Sequence, residues 1–262
     1  MTVVAAATGN PAATASPRTA PGSSVYGGDI SWPNCPAGTG IPERIAQGLP
    51  MPTAAAKFVV VGLTNGPAFS PNPCLGKQVA WAKARHLWVG AYSVVSYPDA
   101  AQLALYGGTG PLARRLQRVG AAQAAFNLST MRKSGLRVPL IWVDVEHVRG
   151  WAWSAVAADN NAVVNGMFAT YRAAGIRSGV YSYAYGWKEI TGGRALPGTP
   201  VWATSGSNTR ASAAARCSSR SFSGGPVWLA QWSDGRRDHN ITCPRATGAG
   251  HARTMSGLFA ST

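Results

Sequence analysis

Two carboxylates, Asp144 and Glu146, follow the apolar run of residues 139–143 and are separated by a single residue. In a β-strand, residues two apart point to the same face, which places their Cβ atoms roughly 6.5–7 Å apart. Side chains at that spacing can reach the ~5–5.5 Å carboxyl separation of retaining glycosidases or the larger separation of inverting ones. Burial and mutual repulsion should keep one acid protonated and the other charged. The pair predicts acid catalysis at a glycosidic bond, although Asp-x-Glu alone is common by chance.

Other acidic residues are few, and some fall at other strand ends. The chain has 262 residues and a formal net charge of +15, from 24 Lys and Arg against 9 Asp and Glu. Asp29 lies at the end of the first predicted strand, and Asp238 comes just after the last apolar one. In a parallel barrel the carboxyl ends of the strands carry the chemistry. We therefore expect four carboxylates to share one cleft: Asp29, Asp144, Glu146 and Asp238.

Short β-branched and aromatic runs alternate with helical stretches through most of the chain. The predicted strands are residues 25–31, 57–64, 88–96, 139–146, 177–183, 199–204 and 227–233, with a weaker eighth at 239–243. Apolar residues at helical spacing predict helices over residues 75–86, 112–134, 155–174 and 187–191.

Near-continuous apolar strands separated by helices are typical of a parallel sheet that is buried on both faces. Seven or eight such strands in about 235 residues predict a somewhat irregular (β/α)8 TIM-type barrel, a single α/β domain over residues 25–262. A doubly wound open sheet is the alternative. The first strand is not followed by the Gly-x-Gly-x-x-Gly turn of dinucleotide-binding folds.

The four cysteines bear on where in or outside the cell the protein functions. Their order suggests the pairs Cys35–Cys74 and Cys217–Cys243, with free buried thiols as the alternative. Disulfides would imply export, so we expect a secreted or cell-wall-associated protein. Residues 1–24 are rich in Ala, Pro, Ser and Thr and predict a flexible leader without a complete signal peptide. No uninterrupted apolar run reaches the ~20 residues of a membrane span.

Aromatic residues gather where the predicted strands meet loops. Aromatic faces stack on sugar rings, and the Tyr hydroxyl and Trp indole N–H can reach sugar hydroxyls. Core packing is the alternative, and we expect it for Trp81, Trp88, Trp142 and Trp228. The aromatic candidates for glycan contact are Trp32, Tyr97, Tyr181, Tyr183, Trp202 and Trp232.

Four motifs in order along the chain together resemble the family 25 glycoside hydrolases, the lysozyme family with an irregular (β/α) barrel. They are Gly-Asp-Ile-Ser at 28–31, Trp-Val-Asp-Val-Glu at 142–146, Tyr-Arg-Ala-Ala-Gly-Ile-Arg-Ser-Gly-Val-Tyr-Ser at 171–182, and Trp-Leu-Ala-Gln-Trp at 228–232 followed by Asp-His-Asn at 238–240.

The resemblance implies a role for each acid. Glu146 would be the general acid, and Asp144 would orient an N-acetyl group or stabilise positive charge. Asp29 and Asp238 would complete the cleft, with Gln231 hydrogen-bonded to them. Gln231 and Asn240 join the aromatic residues as candidate glycan contacts. The implied reaction is cleavage of the β-1,4 bond after N-acetylmuramic acid in peptidoglycan.

Two segments depart from the family pattern, the Pro- and Gly-rich residues 32–52 and residues 97–112. A related group of exported glycoside-hydrolase-like proteins therefore fits equally well. A non-catalytic barrel that binds cell-wall glycan through the same cleft is the functional alternative.

The positive charge suits an anionic cell-wall surface. Nucleic acid is disfavoured as a partner because the basic pairs are scattered, without a basic helix or RNA-binding motif. His147 and His239 each adjoin a cleft carboxylate, but neighbouring strand residues point to opposite faces. We therefore expect no metal site. The protein is also expected to need no cofactor and to be a monomer.

Overall fold

Ten β-strands are present in the computed structural model, which describes residues 23–244 and 254–261. They are β1 (Tyr26–Ile30), β2 (Gly40–Ile41), β3 (Arg44–Ile45), β4 (Phe58–Gly62), β5 (Trp88–Val94), β6 (Leu140–Asp144), β7 (Arg177–Ser182), β8 (Val201–Ser207), β9 (Val227–Ser233) and β10 (Asp238–Thr242). The predicted leader, residues 1–24, lies outside the described residues except for its last two.

The described helices flank these strands. They are a 3₁₀ turn (Trp32–Asn34) and the α-helices α1 (Leu75–Lys83), α2 (Ala100–Gly107), α3 (Leu112–Lys133), α4 (Ala157–Ala173), α5 (Ala184–Thr191), α6 (Arg210–Arg216) and α7 (Thr254–Leu258). The four predicted helices are all found, with ends that differ by a few residues. None of the described helices is both long enough and apolar enough to cross a membrane.

Eight of the strands close into a barrel in the order β1-β10-β9-β8-β7-β6-β5-β4. The predicted barrel is confirmed, and its closed ring excludes the open-sheet alternative. Seven strands run parallel, but β10 is antiparallel to both neighbours, β9 and β1. The reversal follows from the four-residue turn 234–237, because a parallel crossover needs a dozen or more residues. Asp234 stabilises this turn by accepting hydrogen bonds from the backbone of Arg236 and Arg237.

The connections after the first and third barrel strands hold the two departures from the family pattern. Residues 31–57, all of them described, contain the 3₁₀ turn and the small β2–β3 hairpin and no α-helix. Residues 97–112 contain α2, which the sequence analysis does not predict. Asp99 caps this helix by accepting a hydrogen bond from the backbone of Gln102, and Gly108 ends it at φ 60°.

Alternation along the strands divides the core into two layers. Phe58 and Val60 of β4 point into the barrel, where they pack with Leu140 and Trp142 of β6. The intervening Val59, like Val61 and Val143, packs on the outside beneath the helices. This parity directs Asp144, two residues after Trp142, into the barrel at its carboxyl end.

Helices α3 and α4 touch through their backbones. A Cβ added at Gly120 would lie 1.9 Å from the carbonyl oxygen of Val163, and one added at Gly166 would lie 1.9 Å from that of Gln117. Only glycine fits at either position. The contact packs the helix that precedes β6 against the helix that follows it.

Two disulfides, Cys35–Cys74 and Cys217–Cys243, join the pairs that the sequence order suggests. The first ties the segment after β1 to the start of α1, and the second ties the end of α6 to the end of β10. The first barrel connection, which has no α-helix, therefore has a covalent attachment.

Removal of the first disulfide by Cys35→Ala with Cys74→Ala is expected to destabilise the fold. The cysteines are 39 residues apart in sequence, and closing a loop of that length is worth about 4 kcal/mol in the chain-entropy description. Urea unfolding should show that the free energy of unfolding falls by about 2–4 kcal/mol. An unchanged unfolding midpoint would show that the hairpin segment is held by its packing alone.

Candidate active site

Four carboxylates meet in a cavity of about 100 Å³ at the carboxyl ends of the barrel strands. Its lining consists of Asp29, Tyr92, Asp144, Glu146, Tyr181, Trp202, Gln231 and Asp238. The four acids that the sequence analysis places in one cleft are therefore brought together. Asp238 reaches this end from the start of the reversed strand β10, where it pairs with Asp29 of β1.

Burial and shared charge raise the pKa of each of these acids. Burial, together with the charge of Asp238, raises the pKa of Asp29 to about 8. The same two causes raise the pKa of Glu146 to about 7. Burial, with the charge of Glu146 next, raises the pKa of Asp144 well above its ordinary value. Desolvation raises the pKa of Asp238 too, although this residue is the most exposed of the four acids.

No cation neutralises the cluster within the described residues. The ion pairs found there are His147 with Glu189 and His239 with Asp234, so no Arg or Lys lies within 4.0 Å of a cavity carboxylate. Burial of these acids in salt bridges would have indicated a structural role. Protonation is instead the means by which the cluster avoids repulsion, and protonated carboxyl groups can donate protons.

A hydrogen-bond network inside the barrel fixes the carboxyl group of Asp29. Oδ1 of Asp29 accepts hydrogen bonds from the side-chain amides of Gln231 (2.9 Å) and Asn240 (2.5 Å). The Tyr181 hydroxyl donates to Oε1 of Gln231 at 2.9 Å, and the Trp202 indole N–H donates to Oδ1 of Asn240 at 2.7 Å. Each amide thus has its oxygen occupied and its NH₂ group directed at Asp29.

Two predicted glycan contacts need correction. Asn240 is fully buried and does not line the cavity, because its amide is engaged between Trp202 and Asp29. Trp232 lies on the outer face of the barrel, where its ring stacks on His239 at 5.0 Å. The reason is the alternation of β9: since Gln231 points inward, the next residue must point outward.

The other predicted aromatic contacts divide between the cavity and its surroundings. Tyr181 and Trp202 line the cavity. Tyr183 directly precedes α5 and lies close enough to Glu146 that this charge, after burial, raises the pKa of the tyrosine. Tyr97 packs against the outer core, and Trp32 packs against the Cys35–Cys74 disulfide, so neither is part of the lining.

Tyr92 lines the cavity but was not singled out from the sequence. Its position on β5 could have predicted this. Trp88, four residues earlier on the same strand, faces the barrel interior, and residues an even number apart share a face. Counting inward positions along each strand, rather than searching strand ends, would have found it.

Comparison with known proteins finds lysozyme-like proteins that match parts of the sequence. A family model described as lysozyme-like protein 1 matches residues 109–225, which include Asp144 and Glu146 but neither Asp29 nor Asp238. Lysozyme-like protein 5 of Caenorhabditis elegans is 31% identical over 72 residues. That alignment covers 28% of this chain and 32% of the relative, so the chain matches about a third of that protein's length.

Solved structures extend the likeness to most of the chain. A family GH25 lysozyme from Aspergillus fumigatus aligns with a TM-score of 0.59 and 16% identity, covering 89% of this chain and 99% of that one. The chain resembles lysozymes. A bacterial lysozyme from Streptomyces coelicolor gives a TM-score of 0.57 at 18% identity, covering 90% and 97%. At these identities the lysozyme-like structures establish the fold, and the resemblance stated from the motifs is confirmed.

Replacement of Asp29 by Asn should make this lysozyme-like barrel less sensitive to pH. Because folding raises the pKa of Asp29 from 3.8 to about 8, the folded state binds more protons, and stability is lost as pH rises through that window. Asn keeps an oxygen that can accept the two amide hydrogen bonds. From these two pKa values, the variant should be more stable than wild type by roughly 5 kcal/mol at pH 8 and by about 1–2 kcal/mol at pH 5. Urea unfolding at both pH values measures the difference in unfolding free energy between variant and wild type. The same difference at pH 5 and pH 8 would contradict the prediction.

Proposed function

We propose that this chain is an exported glycoside hydrolase that cleaves cell-wall peptidoglycan at the β-1,4 bond after N-acetylmuramic acid. The observation that carries the proposal is the cavity at the carboxyl end of the barrel, where four carboxylates meet and no Arg or Lys of the described residues pairs with them. The family resemblance supplies the substrate, and the cavity supplies groups for acid catalysis.

Glu146 is the proton donor in this proposal. With its pKa raised to about 7, it is protonated in mildly acidic and neutral solution and can transfer its proton to the leaving glycosidic oxygen. Breaking that bond leaves positive charge on the sugar ring. Asp238 is the most solvent-exposed of the four acids, so we assign it the negative charge that stabilises this state.

Asp144 is positioned to hold the substrate. Its Oδ1 is buried and has no hydrogen-bond partner among the described residues. A buried oxygen without a partner is costly, and an N–H donor from the substrate would satisfy it. The N-acetyl group of an amino sugar offers such a donor, in agreement with the orienting role that the family resemblance implies.

Export and attachment to the wall complete the proposal. The two disulfides support an oxidising compartment. The formal net charge of +15 supports attraction to an anionic polymer.

Incubation of the full chain with purified insoluble peptidoglycan separates catalysis from binding. Release of soluble fragments together with new reducing groups is the expected result. Sedimentation of the protein with the wall, without new reducing groups between pH 4 and 8, would replace the proposal with the glycan-binding alternative.

A further inference from the structure

A second, larger depression lies away from the carboxylate cavity. It has a volume of about 1370 Å³ and is bordered by α3, α4 and the amino-terminal ends of β7 and β9. Five arginines line it: Arg114, Arg118, Arg172, Arg177 and Arg194. We call it the arginine groove. It shares no lining residue with the carboxylate cavity.

No described acidic side chain balances the charge of the arginine groove. The lining contains no carboxylate, and all nine Asp and Glu of the sequence occupy described positions elsewhere. Within residues 23–244 and 254–261, no Arg or Lys lies within 4.0 Å of a carboxylate. The described part of the chain therefore places five arginines around one groove with no acidic side chain among the lining residues.

Two of the arginines are fixed by the protein. Nε of Arg118 donates a hydrogen bond to the carbonyl oxygen of Gly107 at 2.5 Å. The guanidinium of Arg177 lies over the ring of Trp228, 5.6 Å from its centroid. These contacts hold two positive charges at defined places on the groove wall.

Arg194 has an unmet hydrogen-bonding need. It is partly buried, and its Nη1 atom is covered and has no acceptor among the described residues. Burial lowers the pKa of this guanidinium below its ordinary value. A covered guanidinium donor without an acceptor costs free energy that an anionic oxygen in the groove would recover.

We propose that the arginine groove binds a linear phosphate polymer without aromatic bases, of the polyol-phosphate kind. Guanidinium groups pair with phosphate oxygens through parallel hydrogen bonds. The groove exceeds the ~300–1,000 Å³ typical of small-molecule sites, which suits several units of a chain. Single-stranded nucleic acids bind largely by stacking their bases on aromatic faces. The lining has two aromatic residues, Phe168 and Trp228, and Arg177 covers a face of Trp228. The proposal does not depend on glycosidase activity.

Binding of synthetic poly(glycerol phosphate) to the full chain tests the proposal. The groove variant carries Arg114→Gln, Arg172→Gln and Arg194→Gln. The control variant carries Arg210→Gln, Arg216→Gln and Arg220→Gln, three exposed arginines outside the groove. Both lose three charges. The groove variant should bind about tenfold or more weakly, and the slope of log Kd against log salt should fall by about 2. The control should bind nearly as wild type does.

Because Arg194 is partly buried, a second variant with only Arg114→Gln and Arg172→Gln guards against misfolding; both residues are exposed. It should also bind more weakly. Equal weakening in groove and control variants, or no binding by wild type at physiological salt, would overturn the proposal. So would equally tight, groove-dependent binding of single-stranded DNA or polyglutamate. Peptidoglycan cleavage, measured in parallel, should be unchanged in the groove variants and reports separately on the hydrolase proposal.

Discussion

Glu146→Gln is expected to lower kcat on peptidoglycan by a factor of about 10²–10⁴, the usual contribution of a positioned general acid. The amide has nearly the same shape but cannot give up a proton to the leaving oxygen. Reducing groups released per unit time at saturating substrate measure the effect. Glu43→Gln makes the same chemical change at an exposed residue of the β2–β3 hairpin and should leave kcat unchanged.

The pH dependence of wild type gives the same role a second readout. Since the pKa of Glu146 is about 7, activity should fall as pH rises through 7 and the acid loses its proton. Activity should also fall at lower pH, as Asp238 takes up a proton at its raised pKa and becomes neutral. A Glu146→Gln enzyme that retains wild-type kcat and the same alkaline limb would remove Glu146 as the donor.

Gly120→Ala is expected to lower the free energy of unfolding by about 4 kcal/mol, the exceptional end of single-substitution effects. The added methyl group would lie 1.9 Å from the Val163 carbonyl oxygen. The obstacle is backbone, so no side-chain rotation relieves it, and α3 and α4 must move apart.

A matched glycine makes the comparison sharp. Gly76 also lies within a helix, α1, but a Cβ added there has no atom within 4 Å. Gly76→Ala should therefore stabilise the protein by about 0.5–1 kcal/mol through helix propensity. Urea unfolding measures both variants. A Gly120→Ala protein within 1 kcal/mol of wild type would contradict the backbone contact between α3 and α4.

Sequence alone was sufficient to predict that the four carboxylates meet. Their positions at strand ends, in a chain with so few acids, carry that information, and parallel strands bring such ends together. The same reasoning could not fix the direction of β10, because the turn 234–237 gives no hydrophobic pattern. Asp238 nevertheless reached the cleft, since the start of a reversed strand lies at the same barrel end as the finish of a parallel one.

Side-chain parity explains most of the remaining errors. Gln231 and Trp232 are neighbours, so only one of them can face the cavity, and strand-end position does not decide which. Asn240 faces inward, but its side-chain amide is already hydrogen-bonded to Asp29 and Trp202. These partners lie on strands far apart in sequence, so the sequence pattern does not reveal the contacts. The arginine groove likewise joins residues from distant elements, and a count of basic pairs along the chain could not reveal it.

The chemical identity of the new chain ends tests the central claim most directly. Peptidoglycan digested by the wild-type chain is reduced with borohydride, hydrolysed and analysed for amino sugar alcohols. If the carboxylate cavity cleaves the β-1,4 bond after N-acetylmuramic acid, muramitol should accumulate with time, and the Glu146→Gln digest should contain almost none. New ends that yield only glucosaminitol, or no new ends in the wild-type digest, would contradict the account.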